Sequence, residues 1–329
     1  MTRKTQPKRI LIAGATGFIG RELTYRLIER GDRVIVLARN PDKAAHLFGP
    51  HVEVVGDVAA LPDGEPIHCI VNLAGASIAG GLWTARRKRL LLQSRLDVTN
   101  ALLGLVGRLT VKPTTWINAS AVGYYGVRTD DDRLHEKSPP QPIFQSQLCQ
   151  SWEAAATEAA ALGVKVALLR IGLVLGRNGG ALPALARPVR FGLGTVMGSG
   201  EQWVSWIHLD DLIQIILFVL DQGTLAGPLN ATAPTPIRHA ELMRTIAATV
   251  HRRLLPFAVP NALLRVVLGE LAQLFVDGQR VVPDRATALG FRFRHSTIES
   301  ALEDALGTAR YSAATPSAAV SSPPGTETE

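Results

Sequence analysis

The chain has 329 residues, of which 47% are hydrophobic and 19% are charged. This composition is typical of a globular protein and excludes a largely disordered one. The formal net charge of +7 raises the question of nucleic-acid binding, but most of the lysines and arginines are dispersed along the chain. We therefore expect a solvated basic surface and no nucleic-acid partner.

The cysteine content and the apolar stretches indicate where the protein resides. The two cysteines, Cys69 and Cys149, are too few for a disulfide framework and indicate a reducing compartment. The basic leader, residues 1–9, carries no apolar signal region. The longest apolar helical stretches, residues 212–220 and 262–276, are too short or too interrupted by charges to cross a bilayer. We expect a cytoplasmic protein without a membrane partner.

The first predicted unit is a strand, a glycine-rich turn and a helix between residues 10 and 37. The strand at 10–13 leads into Gly14, Gly17 and Gly20, at the spacing G-x-x-G-x-x-G. Gly14 and Gly17 permit a tight turn close to a ligand, and Gly20 permits close packing of helix on strand. The free amides at the helix N-terminus suit a pyrophosphate. A second strand at 33–37 completes the unit and favours a dinucleotide site over a plain strand-to-helix turn.

The end of the second strand indicates which dinucleotide is bound. The strand ends at Arg39, with Lys43 a turn further on, and no Asp or Glu occupies this tip. An acidic residue would bind the adenosine ribose of NAD, whereas a cation accepts the 2′-phosphate of NADP. The sequence favours NADP, as NADPH, over NAD; the alternative is that Arg39 is an ordinary surface charge.

The following segments alternate between strand and helix as far as residue 171. This alternation predicts the α/β class with a doubly wound parallel sheet, the Rossmann architecture, whose ligands bind at the carboxyl ends of the strands. The predicted elements are strands at 52–55, 69–73, 115–119 and 165–171, helices at 85–109 and 146–162, a return to the sheet edge at 228–232, and a helix from His239.

The later part of the chain predicts a smaller C-terminal substrate lobe closing over the cofactor. A Gly/Pro-rich region precedes Trp203, and Asp210 or Asp211 could cap the helix after His208. The predicted division is a dinucleotide-binding domain at 8–175 with 204–232 returning to it, a lobe formed by 176–203 and 233–308, and a disordered tail at 309–329.

A group of aromatic and hydrogen-bonding residues precedes this helix. Gln202, Trp203, Ser205 and Trp206 follow a glycine-rich turn, a mixture that suits an organic substrate with hydroxyl or carbonyl groups. The alternative is that the tryptophans belong to the core. No run of Cys, His and carboxylates has ligand spacing, so we expect no metal site.

Several of these motifs together resemble the extended short-chain dehydrogenase/reductase superfamily over residues 9–305. More narrowly, the chain resembles the atypical subgroup called epimerase family proteins, whose substrate is not established. The superfamily resemblance rests on Gly14–Gly20, Gly56-Asp57-Val58, Asn72-Leu73-Ala74-Gly75, Ser120 before Tyr124-Tyr125-Gly126, and Trp206 to Asp211. The subgroup resemblance rests on Leu148 to Glu153, Gly198 to Trp203, Gly278-Gln279-Arg280 and Gly290-Phe291.

The resemblance implies a set of cofactor contacts. Asp57 and Val58 would meet the adenine, Ala74 and Gly75 would line the path to the nicotinamide ribose, and segment 170–174 would pass the carboxamide. Each of these residues has a simpler alternative role in the structure; Asp57 and Gly75, for example, could merely form turns. The cofactor-binding residues predicted from the turn and from the resemblance are Gly14, Ala15, Thr16, Gly17, Phe18, Ile19, Gly20, Arg39, Asp57, Val58, Leu73, Ala74, Gly75, Ser120, Arg170, Gly172 and Val174.

The resemblance also places the active site, where this chain departs from the superfamily pattern. The superfamily uses a Tyr and, four residues later on one helix face, a Lys that lowers the pKa of the phenol. The corresponding positions carry Cys149 and Glu153. A thiol is shorter than a phenol, and a carboxylate raises the pKa of a neighbouring acid.

Other residues must therefore be weighed as the proton donor. Tyr124, Tyr125 and His208 are candidates, with packed aromatics and a helix-entry hydrogen bond as the alternatives. Cys149 could react itself, or be an inert buried thiol. Ser120 would lie beside the reacting oxygen.

Two functional hypotheses follow. The first is an NADP-dependent oxidoreductase or epimerase-like enzyme that transfers a hydride to or from a small carbonyl or hydroxyl compound. The second is a non-catalytic NADPH-binding sensor or regulatory protein. The partner in the first case is a small-molecule substrate, and we leave a homodimer open.

Overall fold

The computed structural model describes residues 7–128 and 130–307, so the predicted tail at 309–329 and most of the basic leader lie outside the described residues. The strands are β1 (Arg9–Ala13), β2 (Arg33–Leu37), β3 (Val52–Val55), β4 (Cys69–Asn72), β5 (Thr115–Ala121), β6 (Arg133–Leu134), β7 (Lys165–Ile171), β8 (Leu173–Gly176), β9 (Gly179–Gly180), β10 (Val196–Met197), β11 (Trp203–Val204), β12 (Trp206–His208), β13 (Gly227–Ala231), β14 (Ile237–Arg238), β15 (Ala258–Val259) and β16 (Arg280–Val281). The α-helices are α1 (Phe18–Glu29), α2 (Pro41–Phe48), α3 (Ala85–Arg108), α4 (Phe144–Thr157), α5 (Leu182–Arg190), α6 (Leu209–Gln222), α7 (His239–Thr249), α8 (Asn261–Leu268), α9 (Gln273–Val276), α10 (Asp284–Ala288) and α11 (Ile298–Leu306).

Seven strands form the central sheet in the order β13-β7-β5-β4-β1-β2-β3. Each neighbouring pair in it is parallel. The strand order reverses direction at β1, so the chain winds first to one side of the sheet and then to the other. This confirms the predicted doubly wound fold.

Helices cover both faces of the sheet, which explains why its strands read as continuous apolar runs. On one face, Ile10 and Ile12 pack with residues of α1 and α6, such as Leu23 and Ile216. On the opposite face, Leu11 packs with residues of α3 and the segment after α4. Alternate residues of one strand thus serve two separate cores.

Element boundaries differ from the predictions mainly in α4 and α6. The predicted helix at 146–162 begins earlier, at Phe144, and changes to a 3₁₀ turn at Glu158–Leu162. The prediction that Asp210 or Asp211 caps α6 is wrong. The cap is His208, whose side chain accepts a hydrogen bond from the backbone N–H of Asp210.

Helices α5, α7 and α11 lie beside β8 and β12, whereas α10 packs against β13 at the edge of the central sheet. Helices α5, α7 and α11 share an apolar cluster there, which includes Trp206 and Leu302. Strand β16 pairs with β6, holding Arg280 and Val281 beside residues 133–134. In the part of the chain that the structure describes, none of the helices combines the length and the apolar content that a membrane crossing requires.

Candidate functional site

The glycine turn between β1 and α1 is shaped by contacts that leave no room for side chains. Gly14 has φ of +85°, and a Cβ there would lie 2.7 Å from the carbonyl carbon of Leu73. The Gly14 carbonyl accepts a hydrogen bond from the Gly17 N–H at 3.0 Å, and a Cβ on Gly20 would lie 2.2 Å from that carbonyl oxygen. Gly17 precedes α1, and no described side chain caps the helix. Backbone amides therefore remain free at the turn, as diphosphate binding requires.

A cavity of about 490 Å³ adjoins this turn; we call it the glycine-turn cavity. Residues predicted from the sequence that line it are Gly14, Thr16, Gly17, Arg39, Asp57, Val58, Leu73, Ala74 and Gly75. The cavity is also lined by residues that the sequence reasoning missed, namely Ala13, Leu37, Ala38, Gly56, Ala76, Ser94, Asp97, Val98 and Ala101. Four of these residues, Ser94, Asp97, Val98 and Ala101, lie on one face of α3. Their short side chains recur at helical spacing, and this pattern in the sequence could have indicated that the face lines a cavity.

Arg39 and Asp57 lie on the wall of this cavity next to the ends of β2 and β3. The Arg39 side chain is exposed and forms no hydrogen bond or ion pair with the described residues. The Asp57 carboxylate accepts a hydrogen bond from the N–H of Ala59 at 2.8 Å and so also stabilises its own turn. An unengaged guanidinium at this position suits a phosphate group.

Some residues predicted to contact the cofactor do not line the glycine-turn cavity. Ala15 is buried beneath the turn, and Ile19 and Gly20 belong to α1. The Phe18 ring lies beside the β8–β9 hairpin, where added Cβ atoms on Gly176, Gly179 and Gly180 would come within 2.4 to 2.8 Å of ring atoms. Val174 packs against the apolar cluster on the face of the sheet that contains Ile10 and Ile12.

Ser120, Glu153 and Arg170 form a buried polar network. Arg170 donates two hydrogen bonds to the Glu153 carboxylate, from Nε to Oε1 at 2.9 Å and from Nη2 to Oε2 at 2.8 Å. The Ser120 hydroxyl donates to Glu153 Oε1 at 2.6 Å. Each residue is at most 6% exposed, and none lines the glycine-turn cavity. Arg170 thus forms an ion pair with Glu153, the residue that the resemblance places at the superfamily's lysine position; its contact with the cofactor stays a prediction.

The two tyrosines after β5 pack against the same guanidinium. The Tyr124 ring lies under Arg170, with 3.3 Å between the guanidinium carbon and the ring centroid. The Tyr125 hydroxyl donates to Asn230 Oδ1 at 2.6 Å and accepts from Arg170 at 3.1 Å. Burial raises the pKa of Tyr125 to about 12. Neither tyrosine lines a described cavity, which favours the packed-aromatic alternative.

Cys149, which the resemblance aligns with the superfamily's tyrosine, lies in α4 and lines a cavity. Burial, and next the Glu153 carboxylate, raise the pKa of its thiol to about 11. The thiol is therefore protonated at neutral pH and is a weak nucleophile.

His208 lies apart from both cavities. Besides capping α6, its ring packs against the ring of His295 with 4.0 Å between centroids and a tilt of 43° between the ring planes. Ligand atoms of His208, Asp210 and His295 lie within 4.8 Å of one another, a grouping that sequence spacing did not reveal. The Asp210 carboxylate is also within 3.6 Å of guanidinium groups of Arg26 and Arg294. The absence of a metal site stays a prediction.

A second cavity, of about 270 Å³, lies where β5, β7 and β11 end; we call it the Trp203 cavity. Gln202, Trp203 and Ser205 line it as predicted, and so does Gly172. The predicted role of Trp206 is wrong, because its side chain is fully buried and its Nε1 donates to the Thr235 carbonyl. The remaining wall includes Ala121, Val122, Gly123, Gln145, Cys149, Leu173, Met197, His239, Leu242, Phe275, Asp277, Gly278 and Gln279.

Comparisons with known proteins agree with this geometry. The model of the NAD dependent epimerase/dehydratase family matches residues 10–230, and a domain of unknown function, DUF1731, matches residues 259–305. Epimerase family protein YfhF of Bacillus subtilis (strain 168) is 37% identical over 296 residues, covering 89% of this chain and 96% of that protein. The chloroplastic SDR39U1 homolog of Arabidopsis thaliana, also named an epimerase family protein, is 36% identical and covers 92% of this chain and 87% of its own.

Solved structures give the same result. The crystal structure of human epimerase family protein SDR39U1 (isoform 2) with NADPH superposes with a TM-score of 0.80 at 33% identity, covering 90% of this chain and 98% of that one. UDP-glucuronic acid 4-epimerase from Bacillus cereus, at 16% identity and a TM-score of 0.72 over 90% of this chain and 97% of its own, shares the fold alone. The glycine turn, the sheet order and these matches together show that the chain belongs to the NAD dependent epimerase/dehydratase family, among the atypical short-chain dehydrogenases/reductases named epimerase family proteins.

Proposed function

We propose that the protein is an NADP-dependent oxidoreductase or epimerase-like enzyme that acts on a small carbonyl or hydroxyl compound without a Tyr/Lys pair. The observation that carries the proposal is the glycine-turn cavity, which ends at the unengaged Arg39 and has no carboxylate at the tip of β2. The NADPH named with the human relative at 33% identity supports the same cofactor.

The described residues fit a dinucleotide phosphate. The amides after Gly14 and at the start of α1 would hold the diphosphate, in a turn that a Cβ on Gly14 would fill. Arg39 would pair with the 2′-phosphate. Asp57 and Val58 would lie at the adenine, and Ala74 and Gly75 further along the same wall.

NADPH held by these residues would supply a hydride, that is two electrons, to a carbonyl carbon, and the carbonyl oxygen would take up a proton and become a hydroxyl. The chain must then supply that proton from a group other than the usual phenol. Ser120 already donates its hydroxyl hydrogen to Glu153, and the Glu153 carboxylate is neutralised by Arg170. Neither is free to take over the role of the phenol.

A non-catalytic NADPH sensor is the second candidate. The observation that favours it is the closed Glu153–Arg170 pair at the place where the superfamily has its proton relay. Consumption of NADPH with any substrate would exclude the sensor, because a sensor binds the cofactor without oxidising it.

The test is a titration of NADPH and NADH against the wild type and Arg39→Ala. We expect the wild type to prefer NADPH, and Arg39→Ala to lose about tenfold or more of NADPH affinity, since a charge-assisted hydrogen bond contributes about 1.5–3 kcal/mol. NADH affinity should not change. The matched control is Arg33→Ala, which removes an exposed arginine from the opposite end of β2. Equal affinity of the wild type for both cofactors, or unchanged NADPH affinity in Arg39→Ala, would contradict the assignment.

A further inference from the structure

The Trp203 cavity has the size and the charge of a site for a small uncharged ligand. Its volume of about 270 Å³ is below the ~300–1,000 Å³ typical of pockets for drug-sized molecules. Of the described residues that line it, Asp277 is the only one that carries a charge, and it pairs with Arg265 at 3.1 Å. No lysine or arginine is among the described residues that line the cavity.

This wall is unsuited to the diphosphate of a nucleotide sugar. Phosphate groups are bound by guanidinium or ammonium groups, or by converging backbone amides. A diphosphate in the Trp203 cavity would instead meet the Asp277 carboxylate and the apolar side chains of Leu173, Met197 and Phe275. Burying its charges there without partners is unfavourable.

Two polar side chains of the wall are already hydrogen-bonded. The Ser205 hydroxyl donates to the Gln279 carbonyl at 2.7 Å and accepts from the Val281 N–H at 2.8 Å. The Gln279 amide donates to the carbonyls of Val122 and Gly126. These contacts fix residues 279–281 against Ser205 and the segment after β5, and they leave the two side chains little capacity for a ligand.

Three other polar side chains in the wall have unused capacity. Both ring nitrogens of His239, which is 4% exposed, lack a hydrogen-bond partner among the described residues. Burial lowers the pKa of His239 to about 4, so the ring is neutral at pH 7 and offers one donor and one acceptor. The Oε1 atoms of Gln145 and Gln202 also lack described partners.

The Gln202 amide has a fixed orientation. Its Nε2 donates to the carbonyls of Met197 at 2.8 Å and Phe275 at 2.7 Å, which leaves Oε1 as an acceptor that cannot exchange places with the nitrogen. Leaving a buried polar atom without a hydrogen-bond partner is unfavourable. These atoms of His239, Gln145 and Gln202 have less than 1 Å² of accessible surface and belong to residues that line one cavity; a ligand oxygen that reaches them would give them the missing partner.

We propose that the Trp203 cavity binds small, uncharged, mostly apolar alcohols, ketones or aldehydes, and that His239, Gln145 and Gln202 recognise their oxygen atoms. The proposal rests on the proposed function, because it names the substrate class of the same site. A carbonyl oxygen accepts from the imidazole N–H, and a hydroxyl group donates to a glutamine oxygen. The apolar body of the ligand packs against Leu173 and Phe275. The described lining offers no partner for the diphosphate of a nucleotide sugar, so we expect such sugars not to bind in this cavity.

The experiment measures calorimetric binding of cyclohexanone, 2-decalone, benzyl alcohol and UDP-glucose to the full chain saturated with NADPH. We expect at least one of the three neutral probes to bind and UDP-glucose not to bind. His239→Leu and Gln145→Leu should each weaken the bound neutral probe by about tenfold. The controls are His46→Leu, in an exposed part of α2, and Gln147→Leu, exposed on the same helix as Gln145; both should bind like the wild type.

NADPH affinity, measured separately on each variant, distinguishes the two proposals. A wild type that does not bind NADPH contradicts the proposed function. If NADPH binds, then binding of UDP-glucose, failure of all three neutral probes, or unchanged probe affinity in both cavity variants overturns the substrate class. Using two variants keeps the test decisive if one of them does not fold.

Discussion

At the scale of single residues, the chain differs from the superfamily pattern in the pair formed by Glu153 and Arg170. Resemblance suggests that a carboxylate at this position opposes proton transfer, because it raises the pKa of a neighbouring acid. In the structure Glu153 does raise the pKa of Cys149, but it also pairs with Arg170, with Nη2 and Oε2 2.8 Å apart and both side chains less than 10% exposed. Removing one partner would leave a buried charge alone.

We predict that Glu153→Gln destabilises the protein by roughly 3–5 kcal/mol, the usual cost of breaking a buried ion pair from one side. The measurement is the free energy of unfolding from urea titration. Glu270→Gln, which removes the surface partner of Lys88 at a side chain that is 52% exposed, should change it by less than about 1 kcal/mol. A loss of under about 1 kcal/mol in Glu153→Gln would show that Arg170 finds other partners.

Sequence reasoning located this region but not its contacts. Ser120 and Arg170 lie opposite each other in the parallel pair β5–β7, a register that the predicted strands at 115–119 and 165–171 did not specify. Whether Glu153 faces these two residues depends on how α4 is rotated about its own axis over the sheet. The apolar pattern of α4 specifies that rotation only to within a residue or two. His239 was missed for a similar reason, since nothing in the sequence shows that its ring faces a cavity.

At the scale of elements, the glycine turn was predictable because its geometry is local. Gly14 needs a positive φ and meets the backbone of Leu73, so the motif itself encodes the turn. The contribution of α3 to the wall of the glycine-turn cavity was not predicted, because it depends on the angle at which that helix crosses the sheet. The cap of α6 was assigned wrongly, because Asp211 instead accepts hydrogen bonds from the backbone N–H groups of Arg294 and His295.

We predict that Gly14→Ala abolishes NADP(H) binding and costs more stability than Gly31→Ala. Both glycines have nearly the same φ, +85° and +86°, but a Cβ on Gly31 meets nothing within 4 Å whereas one on Gly14 overlaps Leu73. Gly31→Ala should therefore show only the left-handed backbone penalty, about 1–2 kcal/mol. Cofactor titration and urea unfolding of both variants measure the difference. Equal losses in the two variants would mean that the Leu73 contact relaxes freely.

At the scale of the whole molecule, the basic charge is distributed and partly paired. In the cluster at residues 86–89, Arg87 donates to the Ser77 carbonyl and Lys88 pairs with Glu270. The overall fold followed from the alternation of strands and helices, whereas the packing of the C-terminal segments on β8 and β12 depends on non-local contacts that no motif encodes.

We predict an acid-dependent loss of global stability that involves His239. Burial lowers its pKa from 6.5 to about 4, so below pH 6.5 the unfolded chain takes up a proton that the folded chain does not. The contribution is complete above pH 6.5 and is lost progressively down to about pH 4, by about 3 kcal/mol in total. Urea unfolding of the wild type and His239→Gln over this pH range measures it, with His46→Gln as the exposed control. Parallel pH curves for the wild type and His239→Gln would contradict the prediction.

The contact of Phe18 with the β8–β9 hairpin links two distant stretches of the chain. The ring rests on bare backbone at Gly176, Gly179 and Gly180, and Phe18 is also the first residue of α1. A methyl group added to that hairpin would push the ring, and with it the entrance of the helix whose amides face the diphosphate. Substitutions of the hairpin glycines should therefore lower the affinity for the dinucleotide, even though the hairpin need not contact it.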